Sequence, residues 1–211
     1  TGSPATARAI GTAAAANIVP FTAELGGKGA LVVFADSDLD AAARTAAGQY
    51  DDSGQVCLAG TRLLVEASAA DDFLARFHAR SDEHLLGDAH DDATTITPMI
   101  HPTHVTRIEG FIERALAAGD KVLRGGHRHV PDGWTGRPED ALWIEPTLIA
   151  PASNDSEIVQ HEVFGPVLTF QTFVDEDEAI RLANSTAYGL SATLFTGSAE
   201  RAERVGGALR A

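Results

Sequence analysis

Residues 30–66 read ALVVFADSDLDAAARTAAGQYDDSGQVCLAGTRLLVE, and this stretch sets the fold class. Ala30-Leu31-Val32-Val33-Phe34 is an apolar, β-rich run of buried-strand length. Asp36-Ser37-Asp38 follows as a set of caps, whose side-chain oxygens can accept the free N–H groups at a helix start. Leu39 to Gln49 then carries the alanine content that a helix favours, and Gly48 to Gly54 breaks the pattern. Arg62 to Glu66 reads as the next strand. Strand, helix and strand in this order make one unit of an α/β sheet.

The alternation continues outward on both sides. Downstream, Ser68 to His84 is an amphipathic helix carrying Phe73, Leu74 and Phe77, and Thr103 to Gly119 sets Val105, Ile108, Phe111, Ile112 and Leu116 at helical spacing. Lys121-Val122-Leu123 is a strand closed by a turn at Gly125-Gly126, and His127 to Ala141, with Pro131, Gly133, Gly136 and Pro138, reads as a loop. Trp143-Ile144, Thr147-Leu148-Ile149, Val167 to Phe173 and Ala192 to Phe195 read as strands; Asp175 to Asn184 and Ser198 to Leu209 read as helices. Upstream, Ser3 caps and Pro4 opens a helix over Ala5 to Asn17. Pro20 to Leu25 reads as a short strand stopped by Gly26-Gly27. The expected fold is α/β, a mostly parallel sheet flanked by helices, with no internal repeat and no linker that divides the chain evenly.

Composition narrows the partners. With 211 residues, 44% hydrophobic and 22% charged, the chain is long and apolar enough to bury a core, which sets disorder aside. Sixteen Lys plus Arg against 30 Asp plus Glu give a formal charge of −14, which repels phosphate backbones and anionic lipid, so no nucleic acid and no membrane partner is expected. The longest apolar stretch, Ala30 to Ala35, is far short of the roughly 20 residues that cross a bilayer. One cysteine makes no internal disulfide and no basic-then-apolar segment opens the chain, so the expected location is cytoplasmic. A start at Thr1 without Met, and an end at Leu209-Arg210-Ala211 without a helix stop, lead us to expect a piece of something longer.

Three segments carry candidate chemistry. Cys57 follows the glycine-containing break in Gly54-Gln55-Val56-Cys57-Leu58-Ala59-Gly60-Thr61-Arg62, where a turn or helix start can bring free N–H groups to a thiolate nucleophile. A lone cysteine is as readily a small buried hydrophobe, and on its own it does not decide between the two. Glu24, at the end of an apolar strand, is expected to be partly desolvated with a raised pKa, as a general base needs. The bland alternative is a solvated strand-end carboxylate. Gly26-Gly27 allows tight turning and close backbone approach, and Gly26-Gly27-Lys28-Gly29 lacks the first Gly and the final Ser or Thr of a phosphate-binding P-loop. His161-Glu162-Val163-Phe164-Gly165-Pro166 sets a carboxylate and an aromatic ring two residues apart; in a strand-like stretch they share a face, although such a pair also serves as ordinary turn and core.

Together these segments resemble the aldehyde dehydrogenase superfamily over nearly the whole chain and in the family's order. Glu24-Leu25-Gly26-Gly27-Lys28 matches the family's glutamate signature, the segment around Cys57 its cysteine signature, and Glu162 to Val167 its third block. The resemblance implies NAD(P)-dependent oxidation of a small-molecule aldehyde to a carboxylic acid, with NAD or NADP as cofactor. By that resemblance Cys57 is the nucleophile that forms a thiohemiacetal and then a thioester, its own N–H gives half of the oxyanion hole, and Glu24 activates the hydrolytic water. Glu162 holds the nicotinamide-ribose hydroxyls, Phe164 flanks the ring, Leu25 offers its carbonyl to the carboxamide, and Gly2 and Ser3 lie in the pyrophosphate-contacting turn. Residues 1–25 correspond to the last edge of the dinucleotide-binding domain and residues 26–211 to the catalytic domain. The upstream cofactor-domain half, including the asparagine of the oxyanion hole, and the C-terminal closing segment have no counterpart in these residues. The parent protein is expected to be a homodimer or homotetramer, and this piece alone to oxidise aldehydes poorly or not at all.

Glu24 argues for the hydrolytic branch over relatives that transfer the acyl group to coenzyme A. A non-catalytic domain of the same fold, used for assembly or binding, and a coenzyme-A-acylating enzyme are the alternatives. Tyr50-Asp51-Asp52-Ser53 departs from the family's amide-rich pattern, and His161 stands where an acidic residue is frequent. His101-Pro102-Thr103-His104 and His127-Arg128-His129 read as surface loops, so no metal is expected. Asp36-Ser37-Asp38 and Asp175-Glu176-Asp177-Glu178 read as helix caps and first turns.

Overall fold

A computed structural model describes residues 1–211. The first helix, α1 (Pro4–Ala16), opens as its sequence predicts, with the Ser3 hydroxyl accepting the Thr6 N–H at 3.2 Å. No residue of α1 is buried. Pro20 to Leu25 is not a strand: only Leu25 makes a bridge, to Gly2. Pro20 has no N–H to give, and on the other side Ser3-Pro4 turns at once into α1, so no ladder forms beyond that bridge.

The elements that follow are β1 (Ala30–Val33), α2 (Leu39–Ala47), β2 (Arg62–Glu66), α3 (Ala70–Ser81), α4 (Pro102–Ala117), β3 (Lys121–Arg124), β4 (Arg128–His129) and β5 (Trp143–Ile144). They continue with β6 (Thr147–Ala150), α5 (Glu157–Gln160), β7 (Val167–Phe173), α6 (Glu176–Ala183), β8 (Ala192–Phe195) and α7 (Ala199–Gly206). Six strands form one sheet in the order β3-β6-β7-β2-β1-β8, parallel throughout except for β3 at the edge. The registers Val32↔Leu64, Val32↔Leu194 and Leu64↔Gln171 run across its centre.

Side chains alternate between the two faces of the sheet. Leu31, Val33, Leu63 and Val65 meet Phe73 and Phe77 of α3, while Val32, Leu64 and Phe173 meet Leu182 of α6 and Val205 of α7. A third cluster joins Ile108 and Ile112 of α4 to Ile149, Ile158 and Val167. Every residue of β1 is buried, as expected of a central parallel strand covered on both sides. Asp38 caps α2 through the N–H groups of Asp40 and Ala41, and Asp175 caps α6 through that of Glu178, as their sequences predict.

Buried Arg62 ties the layers together. Its guanidinium donates to the carbonyls of Lys28, Leu182 and Ala183 at 2.9, 2.7 and 2.6 Å, placing a cation on the last turn of α6.

The structure departs from the sequence pattern at three further places. The stretch from His127 to Ala141 is not all loop, because β4 pairs antiparallel with β5; two residues are too few to show as a pattern. Helix α5 precedes His161 unpredicted, being a single turn. His101-Pro102-Thr103-His104 is not a surface loop but the start of α4, with the His101 ring capping the Thr103 N–H. No helix is long and apolar enough to cross a membrane.

Candidate active site

Three connections lead into the neighbouring parallel strands β1, β2 and β7, and each carries one of the sequence motifs. Because β2 lies between the other two, the glutamate segment, the cysteine segment and the Glu162 segment meet at the amino ends of these strands.

Glycines let the backbones touch. A Cβ on Gly26 would overlap the Glu162 carboxylate, one on Gly27 would lie 2.6 Å from the Cys57 carbonyl oxygen, and one on Gly54 would overlap the Gly165 carbonyl. Gly26 and Gly27 have no positive φ, so the turning role expected of them is replaced by close approach alone. Gly54 needs both: its φ is 66°, after left-handed Asp52 and Ser53. This run reverses the chain between α2 and β2. It is held by the buried Ser53 hydroxyl, which donates to the Thr97 carbonyl.

Cys57 lies in a turn closed by the Ala59 N–H donating to the Val56 carbonyl at 3.2 Å. The thiol is half-buried, and the Cys57 N–H makes no hydrogen bond within the chain. That donor is free to meet an oxyanion formed on a carbon attached to the sulfur.

Glu24 is exposed, and the desolvation expected of it is absent. Residues 19–24 form no regular element and are exposed throughout, with the Phe21 ring lying against Gly11 of α1, and the Glu24 carbonyl is tied by the Gly2 N–H at 3.0 Å. Its carboxylate nevertheless lines the same cleft as Cys57.

Glu162 is half-buried, and one carboxylate oxygen accepts the Gly27 N–H at 3.0 Å. Burial pushes its pKa above the ordinary range, against the opposing pull of that N–H, Arg107 and Lys28. The second oxygen has no partner in the chain and is available to a hydroxyl donor. Phe164 does not share a strand face with Glu162, because its φ of 60° breaks the extended pattern; its ring still lines the cleft. Lys28, 2% exposed, has its pKa pulled down to about 7, first by burial and next by Arg62, with Glu162 opposing.

The cleft holds about 430 Å³. Gly2, Glu24, Leu25, Cys57, Glu162 and Phe164 line it. Ser3 does not; its hydroxyl is engaged at the start of α1. A carboxylate with a free oxygen, a flat aromatic wall and a free carbonyl within one cleft suit a ribosyl nicotinamide group. Sequence reasoning missed Gln55 and Val56, which also line the cleft, and the contacts that His104 and Arg107 make with the backbone of the Glu162 segment. No local pattern marks the last two, since they reach that segment from α4.

The profile of the aldehyde dehydrogenase family matches residues 1–211. A betaine aldehyde dehydrogenase of Rhizobium leguminosarum bv. trifolii (strain WSM2304) is 40% identical over 206 residues, covering 97% of this chain and 41% of that protein. A crystal structure of betaine aldehyde dehydrogenase from Staphylococcus aureus in complex with NAD+ matches with a TM-score of 0.92 at 38% identity, over 99% of this chain and 41% of that one. An NAD-dependent aldehyde dehydrogenase from Sinorhizobium meliloti matches with a TM-score of 0.92 at 37% identity, over 100% and 41%. The chain thus spans about two fifths of the length of the curated relatives it matches.

Proposed function

The chain belongs to the aldehyde dehydrogenase family, and from that premise we propose that it carries the cysteine and the base for NAD-dependent oxidation of an aldehyde to a carboxylic acid. The observation that carries this reading is the meeting of Glu24, Cys57, Glu162 and Phe164 in one cleft.

Cys57 Sγ adds to the aldehyde carbon, and the oxygen that becomes negative faces the free Cys57 N–H. A nicotinamide dinucleotide, when bound, supplies the hydride acceptor. The free oxygen of Glu162 would accept its ribose hydroxyls, Phe164 would wall the ring, the Leu25 carbonyl would accept from the carboxamide, and Gly2, just before α1, would meet its phosphates, with Ser3 behind it occupied in capping the helix. The substrate is then a thioester on Cys57. Glu24, exposed and able to reach bulk water, takes a proton from a water molecule as that water attacks the thioester carbonyl. The carbon–sulfur bond breaks, the carboxylic acid leaves, and the departing sulfur takes up the proton held by Glu24, which restores both thiol and base.

NAD is preferred to NADP in this reading because relatives are named as NAD-dependent or were crystallised with NAD+. Residues 1–25 form the edge of the dinucleotide-binding unit and residues 26–211 the cysteine-bearing unit. In support, α1 has no buried residue, whereas the core begins at Ala30.

The test is aldehyde oxidation by the full-length protein, followed by absorbance of reduced dinucleotide, with betaine aldehyde and simple aliphatic aldehydes as substrates. Cys57→Ser is expected to lower kcat at least 10³-fold, the scale on which nucleophile loss acts. Oxidation that survives this substitution would refute the reading.

A further inference from the structure

The segment that carries Glu162 and Phe164 has no regular structure of its own between His161 and Pro166, and it holds Phe164 at a φ of 60°. A non-glycine residue is disfavoured in that region and persists there only where its surroundings enforce it. Three consecutive carbonyls of this segment are gripped from one side. Arg107 donates through Nη2 to Glu162 O at 2.7 Å and through Nη1 to Val163 O, and His104 Nε2 lies 2.6 Å from Phe164 O.

His104 and Arg107 stand three residues apart on α4, so one face of the helix presents both donors. The Arg107 guanidinium lies over the Phe111 ring, its Cζ 4.8 Å from the centroid, which fixes the direction of its fork. A neutral imidazole with its proton on Nε2 suffices for the third bond; burial keeps the ring below its ordinary pKa against the upward pull of the Phe164 carbonyl, with Arg107 adding to the lowering. Neither side chain lines the cleft.

We propose that His104 and Arg107 are positioning residues for the cofactor side of the cleft: by clasping the carbonyls of Glu162, Val163 and Phe164 they set the carboxylate and the ring where a nicotinamide ribose meets them. This deepens the functional reading above and rests on it. Guanidinium matches the task because it offers a planar fork to two adjacent carbonyls, which an ammonium does not.

The experiment uses the full-length protein with Arg107→Ala, Arg107→Lys, His104→Ala and His104→Gln. Arg114→Ala serves as control: Arg114 lies on the same helix, pairs with Glu157 at 2.7 Å and stacks on Phe111, but does not touch the segment. Steady-state kinetics in NAD and hydrogen exchange of peptides spanning 159–167 are read together. Arg107→Ala is expected to raise KM for NAD tenfold or more, with kcat at saturating NAD within threefold, and to speed exchange in 161–166 without speeding it in β1 or β2. Arg107→Lys recovers little of this; His104→Gln, which keeps a donor, stays within twofold of wild type where His104→Ala does not.

A KM no higher than that of Arg114→Ala overturns the proposal. So does a loss shared equally by kcat, KM and exchange across the sheet, which marks a merely structural role. A wild-type protein that oxidises no aldehyde with NAD instead overturns the functional reading, and with it the cofactor role of the clasp, whatever the variants do.

Discussion

Gly26 shows how little room the site leaves at the level of single residues. A methyl group there would overlap the Glu162 carboxylate, so Gly26→Ala must displace it. The expected result is a rise of tenfold or more in KM for NAD, with a stability loss under about 1 kcal/mol in urea unfolding, because the end of a flexible side chain and not backbone gives way. Buried Lys28, two residues further along the chain, makes stability depend on pH. Its folded pKa, about 7, lies below the unfolded value of 10.5, so the unfolded chain binds a proton that the folded one does not between those limits. The contribution of neutral Lys28 to stability is therefore full above 10.5 and is lost as pH falls through about 7. Urea unfolding of wild type and Lys28→Met across pH 7–10 should show wild type gaining on the variant as pH rises; parallel curves would contradict the assignment. The motifs singled out Glu24, Cys57, Glu162 and Phe164, and the structure brings these four to one cleft. Close approach at Gly26-Gly27 was also legible, but not the atoms approached, because these lie on other segments, and the exposure of Glu24 follows from a ladder that Pro20 and Ser3-Pro4 cut short.

At the level of elements, the site exists because β7, β2 and β1 are neighbours, which brings three connections distant in sequence to one end of the sheet. Periodicity gives the strands one by one and the caps of α1, α2 and α6, but it carries no information on strand order. The two-residue β4 and one-turn α5 fall below the length at which a pattern can show. Arg62 is the bracket that keeps these elements in register, through carbonyls on the β1 approach and the end of α6. Arg62→Ala leaves the buried carbonyls of Lys28 and Ala183 without their donor, while that of Leu182 keeps the Ser185 hydroxyl and N–H, and is expected to lower unfolding free energy by about 2 kcal/mol or more. Arg62→Lys should recover only part of it, since a single ammonium does not span the three directions. Chemical denaturation of both variants checks this, and a loss under 1 kcal/mol for Arg62→Ala would contradict it.

For the whole molecule, a mostly parallel sheet covered by helices on both faces was readable from the alternation of elements, and the family from three motifs in order. The packing adds a distinction within the chain: residues 1–25 contribute nothing to the core, while residues 26–211 enclose all of it. The cleft lies along that division, with Gly2, Glu24 and Leu25 on one side and Cys57, Glu162 and Phe164 on the other. Because relatives use more than twice this length, the 211-residue chain by itself is expected to oxidise aldehydes weakly or not at all, as read from the rate of dinucleotide reduction. The proposed nucleophile, Cys57, and the proposed base, Glu24, by contrast, both belong to this chain and can be tested without any cofactor. The most direct measurement is intact-mass detection of acylation by 4-nitrophenyl acetate in the full-length protein and its Cys57→Ser and Glu24→Gln variants. The account predicts rapid acylation at Cys57, none in Cys57→Ser, and an adduct that persists at least tenfold longer in Glu24→Gln. Acylation no faster than that of a free thiol, or an adduct lifetime indifferent to Glu24, would contradict it.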